Sequence, residues 1–308
     1  MLRPVIAGFL LLCALPFAAF AHPASGIVVN EKGEVFFLDT GEPGGFRGFV
    51  WKIDAQGKLT AVHNYGGHWL ALDASGSFSR SDLEGWFREK RVRLMRVRLS
   101  GSAADGPPEL IQGDGSPIVI APDGNLYYGG GEEPQRAGGE QITRLTPDGK
   151  ATRLVADLSA TAKRLGGIKG LAVGRDGSLS VTYPRAVQKI TMTGAVSTVV
   201  DLAVMNDCEP SLRGLAVDSR GTVYAADSGC RAVVKITPNG RVQAVLKAER
   251  PWSPTGVAVR GDDVYVLEYA NADGPAGQWL PRVRKFSRNG AVTALAAISA
   301  EERAHPAR

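Results

Sequence analysis

Short apolar runs separated by turn residues recur along the whole chain, and the clearest copy lies between Arg213 and Leu246. There GLAVD, TVYAAD, RAVVKI and RVQAVL are divided by SRG, SGC and TPNG, stretches whose Gly, Pro, Asn and Ser permit tight reversals. The pattern predicts a four-stranded antiparallel meander. In RAVVKI, Ala232, Val234 and Ile236 share one face, while Val223 alternates with Tyr224 in the preceding strand, so apolar groups fall on both faces. A sheet covered on both faces needs a neighbour on each side.

The chain supplies those neighbours. With Gly214 as anchor, a glycine follows seven residues later at Gly221, and the same spacing joins Gly26 to Gly33, Trp69 to Gly76, Pro117 to Gly124 and Gly170 to Gly177. A sixth copy starts at Gly256 with a shorter turn, and RAVQKI at 185–190 nearly repeats RAVVKI at 231–236. Anchors spaced by 42 to 53 residues predict an all-β chain: a six-bladed β-propeller of four-stranded antiparallel blades over residues 22–300. Each blade is expected to draw its four strands from consecutive sequence. No N-terminal strand is then left to complete the last blade, and closure of the ring falls to packing between blades. The copy beginning at His68 is the most divergent, DLSATAKRL at 157–165 predicts a short helical connector, and residues 301–308 read as a polar tail.

Residues 1–21 carry Arg3, an apolar run from Val5 to Phe20 and the small-x-small sequence Ala19, Phe20, Ala21, which together predict a secretory signal peptide. The run is shorter than the ~20 residues needed to span a bilayer and is broken by Pro16, so no membrane span is expected. The expected location is periplasmic or secreted. There Cys208 and Cys230, on a connector and a loop that open on one propeller face, are expected to form a disulfide.

The formal net charge is +5, with both signs interspersed. No Lys/Arg run of the kind that tracks nucleic acid is present, and nucleic acid is excluded as a partner. The densest basic stretch holds Arg91, Arg93, Arg96 and Arg98, alternating with Val92, Leu94 and Val97. It reads as a strand with a solvated face, and secondarily as a docking stripe for an acidic partner such as another envelope protein.

The stretch Gly214 to Gly229, which follows G-[LIV]-A-V-D-x-x-G-x-[VL]-Y-x-A-D-S-G, resembles the NHL-repeat and SMP-30/gluconolactonase-like six-bladed propellers. The resemblance covers the propeller as a fold and implies two rings of residues around one mouth of the central channel. The inner ring, just before the innermost strands, is Ser25, His68, Ser116, Lys169, Arg213 and Thr255. The outer ring, ending the second strands, is Asp39, Asp82, Gly130, Tyr183, Asp227 and Glu268. SMP-30-like lactonases hold a divalent metal with Glu, Asn and Asp residues, several of them directly before an innermost-strand Gly. Here Lys169 and Arg213 hold two of those places and Ser25 a third, and a cation between Lys169 and Arg213 would be repelled.

The expected function is recognition of an anionic small molecule or peptide at the channel mouth by His68, Lys169, Arg213, Tyr183, Asp227 and Glu268. Lys169 and Arg213 would pair with the anion, while Asp227 and Glu268 orient its other groups. A competing arrangement pairs those two bases with Asp227 and Glu268 and plugs the channel. The alternative function is a metal-dependent lactonase or related hydrolase, with Asp39, Asp82, Asp227 and Glu268 as ligands of Ca²⁺ or a similar ion. For these carboxylates the simpler reading is capping of local turns, with Arg231 beside Asp227 as a partner. A third alternative is a protein-binding scaffold using the arginine strand. No catalytic residue is assigned, since no motif fixes a Ser or Cys nucleophile beside His68. Trp69 is expected to pack between blades, while Trp86, Trp279 and Tyr183 are expected near the mouth.

Overall fold

The computed structural model describes residues 23–40, 48–63, 67–74, 76, 78, 93–97, 110–114, 116–129, 141–155, 158–202, 208–271 and 279–306. Strands β1–β4 (27–63), β8–β11 (118–155), β12–β15 (170–201), β16–β19 (212–247) and β20–β23 (252–297) form five antiparallel sheets of four strands, each in sequential order. The pattern read from 213–246 is therefore a real unit of the fold, an all-β propeller of four-stranded blades.

The expectation of six equivalent blades holds for five. In the remaining place stands a sheet of three strands, β5 (Trp69–Leu72), β6 (Arg93–Val97) and β7 (Leu110–Asp114), ordered β5-β7-β6. Its sequential order is a correction: β7, last in the chain, pairs directly with the innermost strand through Trp69 opposite Gly113 and Leu72 opposite Leu110. The long stretch between Leu72 and Leu110 lets the chain leave the sheet and return beside its first strand. The arginine strand is also corrected. Its buried residues Leu94 and Val97 enter the cores on opposite sides, so both faces of β6 contribute to packing.

Turn chemistry explains the regularity elsewhere. Each four-stranded sheet has two glycines with φ between 60° and 84°, one in its first hairpin and one in its last: Gly33 and Gly57, Gly124 and Gly149, Gly177 and Gly194, Gly221 and Gly240, Gly261 and Gly290. That region costs a side-chain-bearing residue strain that glycine avoids. In the three-stranded sheet only Gly76 of the described residues plays this part.

The innermost strands β1 (Ile27–Val29), β5, β8 (Ile118–Ile120), β12 (Gly170–Val173), β16 (Leu212–Val217) and β20 (Trp252–Arg260) contact one another in that order, and β20 returns to β1. They surround an axial channel of about 290 Å³ lined by residues from all six. Apolar cores fill the wedges between neighbouring sheets, and the largest joins the last sheet to the first through Tyr265, Leu267, Tyr269 and Trp279 against Phe36, Phe37 and Trp51.

Among the described residues no strand crosses the seam between the first and last sheets. Packing is not its only closure, however. Thr255 donates to the Ala24 carbonyl at 2.7 Å and Tyr269 to the Leu38 carbonyl at 2.6 Å. Residues read as a tail contribute to a helix, α2 (Ala300–Ala304), capped by Ser299 and Glu302. Its Arg303 spans the seam to Asp39. The connector predicted at 157–165 contains the helix α1 (Ser159–Leu165).

Candidate functional site

Of the inner-ring residues, Ser25, His68, Ser116 and Lys169 precede innermost strands by one or two positions, whereas Arg213 and Thr255 lie within β16 and β20. Small residues let these strands converge: a Cβ added to Gly214 would lie 3.0 Å from the Gly256 Cα and the Thr255 carbonyl. Ser25 and Thr255 are buried, whereas His68, Ser116 and Arg213 are half-buried and Lys169 is exposed. The accessible part of the rim is thus three basic residues and one serine.

Backbone hydrogen bonds hold these residues to the sheets. The His68 carbonyl accepts from the Ser25 and Gly26 amides, its own amide donates to the Gly113 carbonyl, and the Lys169 amide donates to the Thr182 carbonyl at 2.7 Å. Arg213 is fixed from both ends: its carbonyl accepts from the Thr182 hydroxyl at 2.5 Å, and its Nε donates to the Ser228 hydroxyl at 3.1 Å. The Ser228 hydroxyl in turn donates to the Ser211 carbonyl at 3.0 Å. Because Thr182 belongs to the sheet of Lys169, one hydroxyl ties the two basic strand starts to each other.

The outer ring behaves differently from expectation. Glu268 is fully buried, and its carboxylate takes Nε of Arg282 at 2.5 Å, Nε of Arg284 at 2.8 Å and a terminal nitrogen of Arg284 at 2.5 Å. Arg282 in turn lies 4.1 Å above the Trp252 ring. Asp39, also fully buried, forms a bidentate pair with Arg303, at 2.8 and 2.6 Å, and Arg303 donates further to the Trp279 carbonyl. Among the described residues these two carboxylates are internal ion-pair centres.

Asp227 is the turn cap that the sequence suggested, accepting from the Ser211 amide at 2.9 Å and the Cys230 amide at 3.1 Å. Burial pushes its pKa up, and those amides pull it back only in part. Arg231 donates to the Trp252 carbonyl at 3.4 Å. The plugged arrangement, with Lys169 and Arg213 neutralised by Asp227 and Glu268, is therefore not how these carboxylates are used.

Tyr183 is fully buried in the core against Ala186 and Leu165, and Trp279 is buried in the seam, so neither side chain lines the open mouth. Trp69 packs between sheets as expected. Asp82, Trp86 and Gly130 lie outside the described residues. The backbone place assigned to Asp82 is held instead by the end of β7, at 113–114. Sequence reasoning missed Arg282, Arg284 and Arg303. The alternation of Arg282 and Arg284 on one face of LPRVRKF was a usable signal, whereas nothing local marks Arg303.

The metal implied by the family resemblance does not fit these donors. Asp39 and Glu268 are held by guanidinium groups, Asp227 points at amides, and among the described residues no three His, Cys, Asp or Glu side chains are grouped to hold an ion. Cys208 and Cys230 are joined as expected, with Cα atoms 5.4 Å apart, and brace the loop whose amides face Asp227. Among the described residues no helix is long and apolar enough to cross a membrane.

No family model matches the chain, and no curated protein matches its sequence. Solved structures do. A luciferin-regenerating enzyme superposes with a TM-score of 0.56 at 16% identity, covering 91% of this chain and 95% of that one. A calcium-binding regucalcin from Agrobacterium tumefaciens gives 0.52 at 17%, covering 80% and 81%. Virginiamycin B lyase from Staphylococcus aureus gives 0.51 at 15%, covering 89% and 84%. At such identities what is shared is the fold, and the chain is a propeller of the architecture common to these proteins.

Proposed function

We propose that the protein binds an anionic small molecule or peptide at the rim formed by His68, Lys169 and Arg213. The observation that supports this reading most directly is the fate of the outer carboxylates. Asp39 is matched by one arginine, Glu268 is outnumbered by Arg282 and Arg284, and Asp227 spends its charge on backbone amides. Each of the three carboxylates is held by groups other than Lys169 and Arg213, and a channel mouth with low-dielectric walls would focus the potential of these bases on an incoming anion. Arg213, already oriented by Ser228, offers a fork of donors to a carboxylate or phosphate, and Lys169 adds a point charge.

The fold shared with a calcium-binding regucalcin and a luciferin-regenerating enzyme supports a second reading, a lactonase or related hydrolase. The two are compatible in chemistry, because opening a lactone yields a hydroxycarboxylate, an anion of the kind the rim suits. Calorimetric screening of anionic metabolites against the protein and its Lys169→Ala/Arg213→Ala variant tests the first reading. The parent should bind at least one anion with salt-sensitive affinity, and the variant should lose tenfold or more. An anion held equally by both would overturn it. Lactone hydrolysis that depends on added Ca²⁺ would instead select the second.

A further inference from the structure

The two arginines that hold Glu268 are not used alike. Arg284 is committed on two sides: its Nε reaches Oε2 at 2.8 Å, one terminal nitrogen reaches Oε1, and that nitrogen also donates to the Lys247 carbonyl at 3.5 Å. Arg282 gives Glu268 its Nε alone and lays its guanidinium 4.1 Å above the Trp252 ring. Among the described residues no acceptor meets the two terminal nitrogens of Arg282, although its side chain is only 19% exposed. Strand register puts this group at the channel mouth. Pro254, Glu268 and Arg282 stand opposite one another on three adjacent strands, and Thr255, the inner-ring residue of this sheet, directly follows Pro254.

Two guanidinium groups on one carboxylate leave a positive charge in excess, and most of its hydration has been stripped away. Burial makes such a charge costly and strengthens its pull on an anion. The Glu268 bond and the Trp252 ring also fix Arg282 in advance, so an incoming group meets a fork of donors whose rotamer freedom is already lost. We propose that Arg282, oriented by Glu268 and Trp252, forms a second anion site at the outer edge of the mouth. Its ligand is an oxyanion, a carboxylate or phosphate group that accepts from the terminal nitrogens of Arg282 through two of its oxygens. The site is separate from the rim of His68, Lys169 and Arg213 and does not rest on it.

The probe is inorganic phosphate, titrated at constant ionic strength into the Lys169→Ala/Arg213→Ala protein, where the two rim bases are gone. Calorimetry gives the affinity, and tryptophan fluorescence reports on the site because Trp252 lies against it. Saturable binding with a fluorescence change is expected, and adding Arg282→Gln to that background should weaken it tenfold or more. Arg282→Lys keeps a charge beside Glu268 but not the fork and should weaken it too, which covers the case of an Arg282→Gln protein that fails to fold. A general salt effect of phosphate on folding would act on all these variants alike. Phosphate that binds the parent but not Lys169→Ala/Arg213→Ala overturns the second site and leaves the rim reading standing. Phosphate held equally with and without Arg282, or by none of the proteins, overturns the second site as well. Affinity that depends on Arg282 and is unchanged by Lys169→Ala/Arg213→Ala supports the second site and counts against the rim.

Discussion

Two regions of the same rim use the same sequence position in opposite ways. In the last sheet Glu268 is sealed from water and clamped by Arg282 and Arg284 of its own sheet, and in the first sheet Asp39 is sealed and clamped by Arg303 of the C-terminal helix. Around the sheets of Lys169 and Arg213, the equivalent residues are Tyr183, packed in a core, and Asp227, turned toward amides of its own loop. The difference follows from connectivity. Successive sheets elsewhere are joined by the chain, whereas the first and last are joined by no strand. At that seam the buried Asp39–Arg303 pair supplies a non-covalent bond, while the Glu268 pairs lie within the last sheet, on its face toward the preceding one. Freed from that duty, the other side of the ring can present its basic residues to solvent.

Removing Glu268 should be the most damaging change. Glu268→Ala leaves Arg282 and Arg284, with side chains only 19% and 16% exposed, facing one another without a counter-charge. A loss of about 3–5 kcal/mol is expected, read as a lower urea midpoint at an unchanged slope. A variant as stable as the parent would break the contrast between the two regions.

Arg303→Ala should follow, at about 3 kcal/mol, because the partner at this pair is the fully buried Asp39 while Arg303 is itself 10% exposed. Asp39→Asn combined with Arg303→Ala should recover part of the loss. A loss equal to that of Arg303→Ala alone would show that the helix contributes by packing and not by charge.

The smallest effect belongs to Asp227. Its folded pKa lies above the unfolded value because burial outweighs its amide bonds. Its contribution to stability is therefore present below the unfolded pKa and is lost as pH rises through the folded one. Asp227→Asn keeps an oxygen for the Ser211 and Cys230 amides without the charge. It should be up to about 1 kcal/mol more stable than the parent at neutral pH, with the difference shrinking as the pH is lowered. A difference that grew on acidification would mean that the ionised carboxylate is the favoured form.

Much of the propeller was legible because it is built from local rules. Hairpin turns need glycine at positive φ, and Gly33, Gly76, Gly124, Gly177 and Gly221 announced themselves by spacing alone. Two-faced apolar strands required neighbours on both sides, and the pairing of Cys208 with Cys230 followed from the type of loop each occupies. The divergent sheet was misread for the same reason: β7 pairs out of order with β5, and no period in the sequence marks a strand that returns after a long excursion.

The sequence by itself determined the repeat, the strands, the turns and the residues at the start of each innermost strand, because those depend on contacts within a few tens of residues. Only the tertiary structure decided what each strand-ending carboxylate does. Arg303 and Asp39 are 264 positions apart and meet because the ring closes there. In a repeat every copy carries the same local signals, so the chemistry of a given copy is set by what closure and burial bring beside it. That is why like residues became ion-pair centres in the first and last sheets and a turn cap in the sheet of Arg213.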